Sequence, residues 1–248
     1  MSIININGTI LEYEIKNQSV TIRCAHDVQR DLIIPDEIKE YSVTSIEESA
    51  FAQSKKLRNI IIPNSVTNIG NDAFYGCEAL ENIILPNNLK SVGWRAFFNC
   101  GITTVTIPNG IKSLAFGMFA HCGKLTNICF SDSVSMVDAK AFKNCVDLTS
   151  VTIPRNVTEI GECTFQDCKN LTDITILSKE ITINDFAFEG CINLKSLTIP
   201  DGVKSLGHRA FAYCLNLAYV SLPVHLRSSL IEEVFEESSP KLKIQYRY

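Results

Sequence analysis

Between Leu80 and Pro108 the apolar positions fall at Leu80, Ile83, Leu85, Leu89, Val92, Ala96, Phe97, Cys100 and Ile107, with polar residues in most of the gaps. Two periods are mixed in this stretch. Ile83-x-Leu85 alternates by two, the mark of a strand that turns one face to a core, and Pro86 then ends the strand because proline has no N–H for a ladder. Val92-Gly93 turns the chain, glycine accepting backbone angles other residues resist. Ala96-Phe97-x-x-Cys100 advances by three to four, which predicts a single inward-packed helical or 3-10 turn.

The same pattern is written about eight times. Phe51, Phe74, Phe97, Phe119, Phe142, Phe165, Phe188 and Phe211 follow one another at intervals of 22 or 23 residues. Cys77, Cys100, Cys122, Cys145, Cys168, Cys191 and Cys214 each stand three positions after a Phe, with Ser54 in the first copy. Ile102 replaces the usual Leu in the one copy that is a residue short. A unit of this size cannot bury so many apolar side chains alone, so the units must stack into one continuous core. Stacking predicts a parallel sheet along one side with strands about 4.8 Å apart, hence a rod on the order of 40 Å long. It also predicts curvature, with the sheet on the concave face.

The ends depart from the pattern. Leu11, Tyr13 and Ile15, then Val20, Ile22 and Cys24, alternate with polar residues on either side of a polar turn, which predicts a β-hairpin covering the first unit. The first repeat carries about five extra residues around Glu40-Tyr41. Ser229-x-x-Glu232 reads as a capping box opening a short helix, and Lys241–Tyr246 as a last strand whose lysines discourage end-to-end growth. The expected division is an N-terminal hairpin cap over residues 1–31, a repeat solenoid over 32–223, and a C-terminal cap of helix plus strand over 224–248.

With Leu-x-x-Ile-x-Ile-Pro-x-x-Val-x-x-Ile-Gly-x-x-Ala-Phe-x-x-Cys-x-x-Leu assembled in register, the chain resembles the BspA-like class of leucine-rich repeats over roughly residues 32–223. The resemblance implies an α/β, β-rich fold: a right-handed leucine-rich-repeat solenoid with a concave parallel β-sheet and short helical or 3-10 turns on the convex side. It also implies protein–protein contact, often adhesion of a cell surface to host proteins or other cells, and it brings no catalytic or ligand residues to carry over. Departures from the pattern are Ser131 and Leu177 at proline positions, Met118 and Thr164 in the Ala column, and Ala115, Asp138 and Asn184 in the Gly column.

Composition narrows the function classes. In 248 residues the net charge is −4, which argues against a generic nucleic-acid binder, since that would show a basic face. No apolar run is long enough to span a bilayer. The segment Met1–Asn7 lacks the basic and apolar regions of a secretory signal; the expectation is a cytoplasmic chain if complete, and a surface or secreted one if a leader was removed. Seven of the ten cysteines belong to the repeat. Ligands one repeat apart would line up along a rod instead of forming a tetrahedron, and no Cys-x-x-Cys occurs, so neither a metal site nor a cofactor is expected. The column cysteines read as small buried hydrophobes, leaving Cys24, Cys129 and Cys163 as the accessible thiols. His26, His121, His208 and His225 lie in different repeats without a recurring partner.

What remains is the outward side of the strands. The candidate partner-binding residues there are Arg58, Asn59, Ile61, Glu81, Asn82, Ile84, Thr104, Thr106, Asn127, Thr152, Asp173, Thr175, Lys195, Thr198, Tyr219 and Ser221. Thr and Ile also suit any half-exposed pleated sheet, so the same columns fit a mere spacer. As a docking floor it is nearly uncharged, apolar toward the N-terminal units, and almost free of aromatic residues, which favours a folded protein or extended peptide over a sugar. Trp94, beside Phe97 and Phe98, is expected on the outer face in a packing role. The leading expectation is a monomeric, non-enzymatic scaffold binding a protein; the alternatives are a spacer without a ligand, or an enzyme using isolated His or Cys residues.

Overall fold

The computed structural model describes residues 2–228 and 230–248. The chain winds as a parallel β-solenoid with almost no helix. Each coil contributes one strand to the front: Asp31–Ile33, Asn59–Ile61, Asn82–Ile84, Thr104–Thr106, Asn127–Cys129, Ser150–Ile153, Asp173–Ile176, Ser196–Thr198, Tyr219–Pro223 and finally Lys243–Arg247. The middle residue of each short strand points inward and its neighbours outward, as in Asn82-Ile83-Ile84, where only Ile83 is buried.

A second strand per coil appears where the sequence pattern marks only a turn. Tyr41–Ile46, Asn68–Ile69, Ser91–Val92, Ser113–Leu114, Met136–Val137, Glu159–Ile160, Ile181–Ile183 and Val203–Leu206 stack in parallel as a side ladder. Two-residue strands carry no alternation to detect. They exist because the coil below supplies acceptors, as when Lys90 N–H donates to Thr67 O at 2.8 Å and Gly93 N–H to Ile69 O at 2.9 Å.

In the coils from Phe51 to Phe211 the third side is built of single i→i+3 turns, the 3-10 form of the expected turn, with no α-helix there. Tyr75 N–H donates to Asp72 O, Cys77 N–H to Phe74 O and Leu80 N–H to Cys77 O, a run of separate turns. Left-handed residues interrupt them two positions before and two after each Phe, such as Arg95 (φ 52°) and Asn99 (φ 54°). Each non-glycine residue of this kind costs roughly 1–2 kcal/mol. The return is a third set of inter-coil bonds: Asp72, Phe74 and Gly76 N–H donate to Trp94, Ala96 and Phe98 O at 2.9, 2.8 and 2.7 Å.

Inside the three sides runs a dry spine. The eight column phenylalanines are at most 1% exposed, and consecutive rings stack at 5.1–5.6 Å with planes within 9°. Phe235 extends the stack over Phe211 at 5.7 Å. Beside it the column thiols donate to the Phe carbonyl one coil back, from Cys77 to Phe51 at 3.1 Å through Cys214 to Phe188 at 3.5 Å.

At the N-terminus β1 (Ser2–Ile6) pairs antiparallel with β2 (Thr9–Lys16), which pairs antiparallel with β3 (Ser19–His26). β3 then joins the side ladder in parallel with Tyr41–Ile46. The extra residues of the first repeat fold as a small hairpin, Glu37–Ile38 against Tyr41–Ser42, turned by left-handed Lys39 and Glu40. At the other end the helix is one turn, Ile231–Val234, and Lys243–Arg247 pairs in parallel with Tyr219–Pro223. Ser229 of the expected capping box lies outside the described residues. Among the described residues no helix is long and apolar enough to cross a membrane.

One coil boundary differs from the rest. Phe97 and Phe119 are 22 residues apart where the other consecutive column phenylalanines are 23 apart, because one residue is missing after Cys100. There the front strands Asn82–Ile84 and Thr104–Thr106 do not pair, and neither do the side strands Ser91–Val92 and Ser113–Leu114. The short coil is instead drawn in at two glycines: a Cβ on Gly101 would lie 2.4 Å from Glu78 O, and one on Gly110 1.9 Å from Leu89 O. The turn side holds all three of its bonds, Arg95, Phe97 and Asn99 N–H donating to Phe116, Met118 and Ala120 O at 2.9 Å each.

Candidate functional site

Strand register decides what the front presents. Ile33, Ile61 and Ile84 are paired in sequence, each directly over the last, and are 60%, 55% and 80% exposed. Three β-branched side chains thus make an uninterrupted apolar ridge on the outward face of the first three strands. Ile33 belongs to this ridge but is absent from the sequence-derived set; the signal was available in Asp31-Leu32-Ile33, where Leu32 is the inward residue and its neighbour must point out.

A polar row flanks the ridge. Asn82 Nδ2 donates to Asn59 Oδ1 at 2.8 Å, and Asn59 Nδ2 in turn to Asp31 Oδ1. Next to it Arg58 and Glu81 form a half-exposed ion pair at 2.7 Å. Such a pair contributes little to stability, but it fixes both charges in place at the rim of the apolar row.

Beyond the unpaired boundary the face changes character. Thr104 and Thr106 stand over Asn127 and Cys129, and Thr152 over Thr175 beside Asp173. Their hydroxyl and amide groups are exposed, as is Lys195. Thr198 is exposed over Ser221, which is only 7% exposed and pairs with Gln245 of the last strand. Tyr219 hydrogen-bonds Gln245, so Tyr219 and Ser221 are engaged by the chain's own end, unlike the residues of the N-terminal strands. The front is further broken between Cys129 and Ser150 and between Ile176 and Ser196, where strand pairing lapses again.

The thiols separate by burial. All ten cysteines are free; Cys129 is exposed and Cys24 half-buried, but Cys163 is buried, against the expectation that it is accessible. It sits left-handed (φ 55°) within the stacked turns, its N–H donating to Asp185 O of the next coil, so that coil covers it. Burial, then the neighbouring Glu162 carboxylate, pushes its thiol up to about 11. Burial likewise pushes Cys122 and Cys214 up to about 12, and Cys100, Cys145, Cys168 and Cys191 well above the usual thiol range. These protonated, donor-engaged thiols pack; they are poor nucleophiles.

The histidines stay apart. His26 contacts Glu12 at 2.8 Å, His208 contacts Glu233 at 3.3 Å, His121 approaches the Asn144 amide at 3.4 Å, and His225 bonds Val203 O at 2.9 Å. None of these contacts places a hydroxyl or thiol nucleophile beside an imidazole. Trp94 is 62% exposed, so its expected packing role is not what the fold gives it.

Sequence comparison agrees with this architecture. A model of the BspA-type leucine-rich repeat region matches in six copies, over residues 44–172 and 160–246. The chain belongs to this family. No curated protein matches it. Among solved structures, a leucine-rich repeat protein of T. pallidum is 26% identical with a TM-score of 0.70, covering 77% of this chain and 88% of that one. A leucine-rich cell surface protein of Faecalibacterium prausnitzii A2-165 is 23% identical with a TM-score of 0.60, covering 100% of this chain and 76% of that one. This BspA-type repeat chain therefore shares its solenoid fold with both.

Proposed function

We propose that the chain is a non-enzymatic scaffold that holds a protein partner on the outward face of its front strands, in the manner of a surface adhesin. The observation that carries the reading is the Ile33–Ile61–Ile84 ridge. Stacking the core requires the inward residue of each strand to be apolar, but nothing in the core requires the outward ones to be. Exposed contiguous apolar rows with a polar rim are what protein interfaces use. Here the rim is the Asn row and the Arg58–Glu81 pair, and an extended segment or a flat protein surface suits its shape. Membership of a repeat family and fold similarity to a protein described as a cell surface protein support the adhesive setting.

The test compares captured partners of the wild type with those of an Ile61→Asp/Ile84→Asp variant and a Thr106→Arg/Thr152→Arg/Thr198→Arg variant, all checked for an unchanged melting curve. A partner kept by the wild type and lost by the isoleucine variant is the expected result. Equal behaviour of all three proteins would mean a spacer, and substrate turnover abolished by a single His or Cys substitution would mean an enzyme.

A further inference from the structure

The boundary where both ladders lapse leaves a cleft of about 560 Å³ on the side of the solenoid, lined among others by Lys90, Ser91, Trp94, Lys112, Ser113 and Asp138. Its walls are chemically unusual for this fold. One coil earlier, Lys90, Ser91 and Gly93 N–H donate to Thr67 and Ile69 O at 2.8, 3.3 and 2.9 Å. One coil later, Ser135 and Met136 N–H donate to Lys112 O and Asp138 N–H to Leu114 O. The equivalent groups across the cleft, the N–H groups of Lys112, Ser113 and Ala115 on one wall and the carbonyls of Lys90 and Val92 on the other, have no main-chain partner. At this largely exposed edge the three donors and two acceptors are open to solvent and so to a ligand that can replace it.

The side chains add charge and a platform. Neither Lys90 nor Lys112 has a carboxylate partner among the described residues. Asp138 also lines the cleft, its carboxylate accepting from Ala139 N–H at 2.7 Å. In a chain of net charge −4, these two ammonium groups put positive charge at the mouth of the cleft. Trp94, the only tryptophan of the chain, stands exposed beside them.

We propose that this cleft binds an acidic sugar unit, with its carboxylate at Lys90 and Lys112, its hydroxyls on the idle main-chain N–H and C=O groups, and its ring against Trp94. Hydroxyls both donate and accept, and so can use both walls, whereas a carboxylate alone leaves the carbonyls unserved. An amphipathic aromatic ring is the surface that a sugar ring covers. The site is distinct from the isoleucine ridge, and either can fail without the other.

Trp94 fluorescence reads the cleft directly. Titration with trigalacturonic acid is expected to give a saturable change that weakens as salt rises, while galactotriose at equal concentration gives none. Lys90→Ala/Lys112→Ala, both exposed positions, should weaken binding by about tenfold or more, and Trp94→Ala should abolish the calorimetric signal, each at an unchanged urea midpoint. Should the double variant fold poorly, Lys90→Gln and Lys112→Gln singly serve the same purpose. No response to trigalacturonic acid, or a response that survives the lysine changes, overturns the proposal. So does equal binding of a hexaglutamate peptide, which would reassign the cleft to acidic protein segments.

Discussion

Two neighbouring boundaries of the solenoid make a controlled comparison. Between the coil of Phe74 and the coil of Phe97, spaced by 23 residues, the front strands, the side strands and the turn side are all bonded. Between the coils of Phe97 and Phe119, spaced by 22, the side ladder is open and the front strands are unpaired apart from a long Thr103 N–H to Glu81 O bond at 3.4 Å. Yet the rings still stack at 5.3 Å, as they do one coil earlier, and the turn side keeps its bonds. Front pairing lapses at 23-residue boundaries too, but the side ladder breaks only here, so the missing residue is absorbed at that hydrogen-bonded edge and not by the packed spine. Close-packed rings lose contact energy over fractions of an ångström, whereas ladder groups at the surface can exchange a protein partner for water at small net cost.

The largest expected effect is on the spine at the open boundary. Phe119→Ala should cost about 3–5 kcal/mol, as Phe74→Ala should. Only the former is expected to split unfolding in two. There the side ladder is open and the front is reduced to the long Thr103 N–H to Glu81 O bond at 3.4 Å, leaving the spine and turn side to carry most of the coupling. Urea unfolding followed by Trp94 fluorescence and by far-UV circular dichroism checks this; coincident single transitions in Phe119→Ala would contradict the comparison.

Alkaline pH probes the same spine. The column thiols from Cys100 to Cys214 are held up by burial, Cys122 to about 12, against about 8.5 in an unfolded chain, whereas Cys77 is shifted down by its hydrogen bond with Cys100. Since the folded pKa is raised, this contribution is complete below about pH 8.5 and is lost as pH rises toward 12, at about 1.4 kcal/mol per pH unit for each thiol. Urea midpoints at pH 8 and pH 10 should fall apart accordingly, and Cys122→Ala should narrow the gap by roughly one thiol's share.

Restoring the missing residue sharpens the contrast further. One alanine inserted after Gly101 should bring Lys112, Ser113 and Ala115 N–H into register with Lys90 and Val92 O, slowing their amide exchange by about tenfold. Unchanged exchange would show that the spacing is not the cause of the opening. The smallest effect belongs to His121, whose ring stands 4.8 Å from Phe98, one coil back. Burial and then Lys143 lower its pKa, with Asp167 opposing. A depressed pKa gives stability that is full above about pH 6.5 and lost as pH falls through the folded value. His121→Gln should flatten the dependence of the melting temperature between pH 7 and pH 5.

What could be read in advance was what repeats. Phe and Cys recur at one spacing because every coil solves the same packing problem, so the columns announce the spine, the inward strand residues and the outward set that follows from them. The side ladder could not be read, since Asn68–Ile69 or Ser91–Val92 are too short to alternate and become strands only when another coil lies beneath. The left-handed breaks between the turns could not be read either: an apolar spacing of three to four fits a single turn without marking where it stops, and residues such as Arg95 and Asn99 hold a positive φ because the next coil accepts their N–H groups. Cys163 was expected at the surface and is covered by that same next coil.

By itself, then, the sequence determined the stack: short units that cannot bury their own apolar side chains must lean on copies of themselves. It even held the anomaly at Cys100-Gly101-Ile102 in plain view. Only the tertiary structure decided where that anomaly is relieved, and hence that Trp94, Lys90 and Lys112 share an opening, because the answer depends on which inter-coil contacts yield first, and hydrogen-bonded edges yield before a close-packed row of rings.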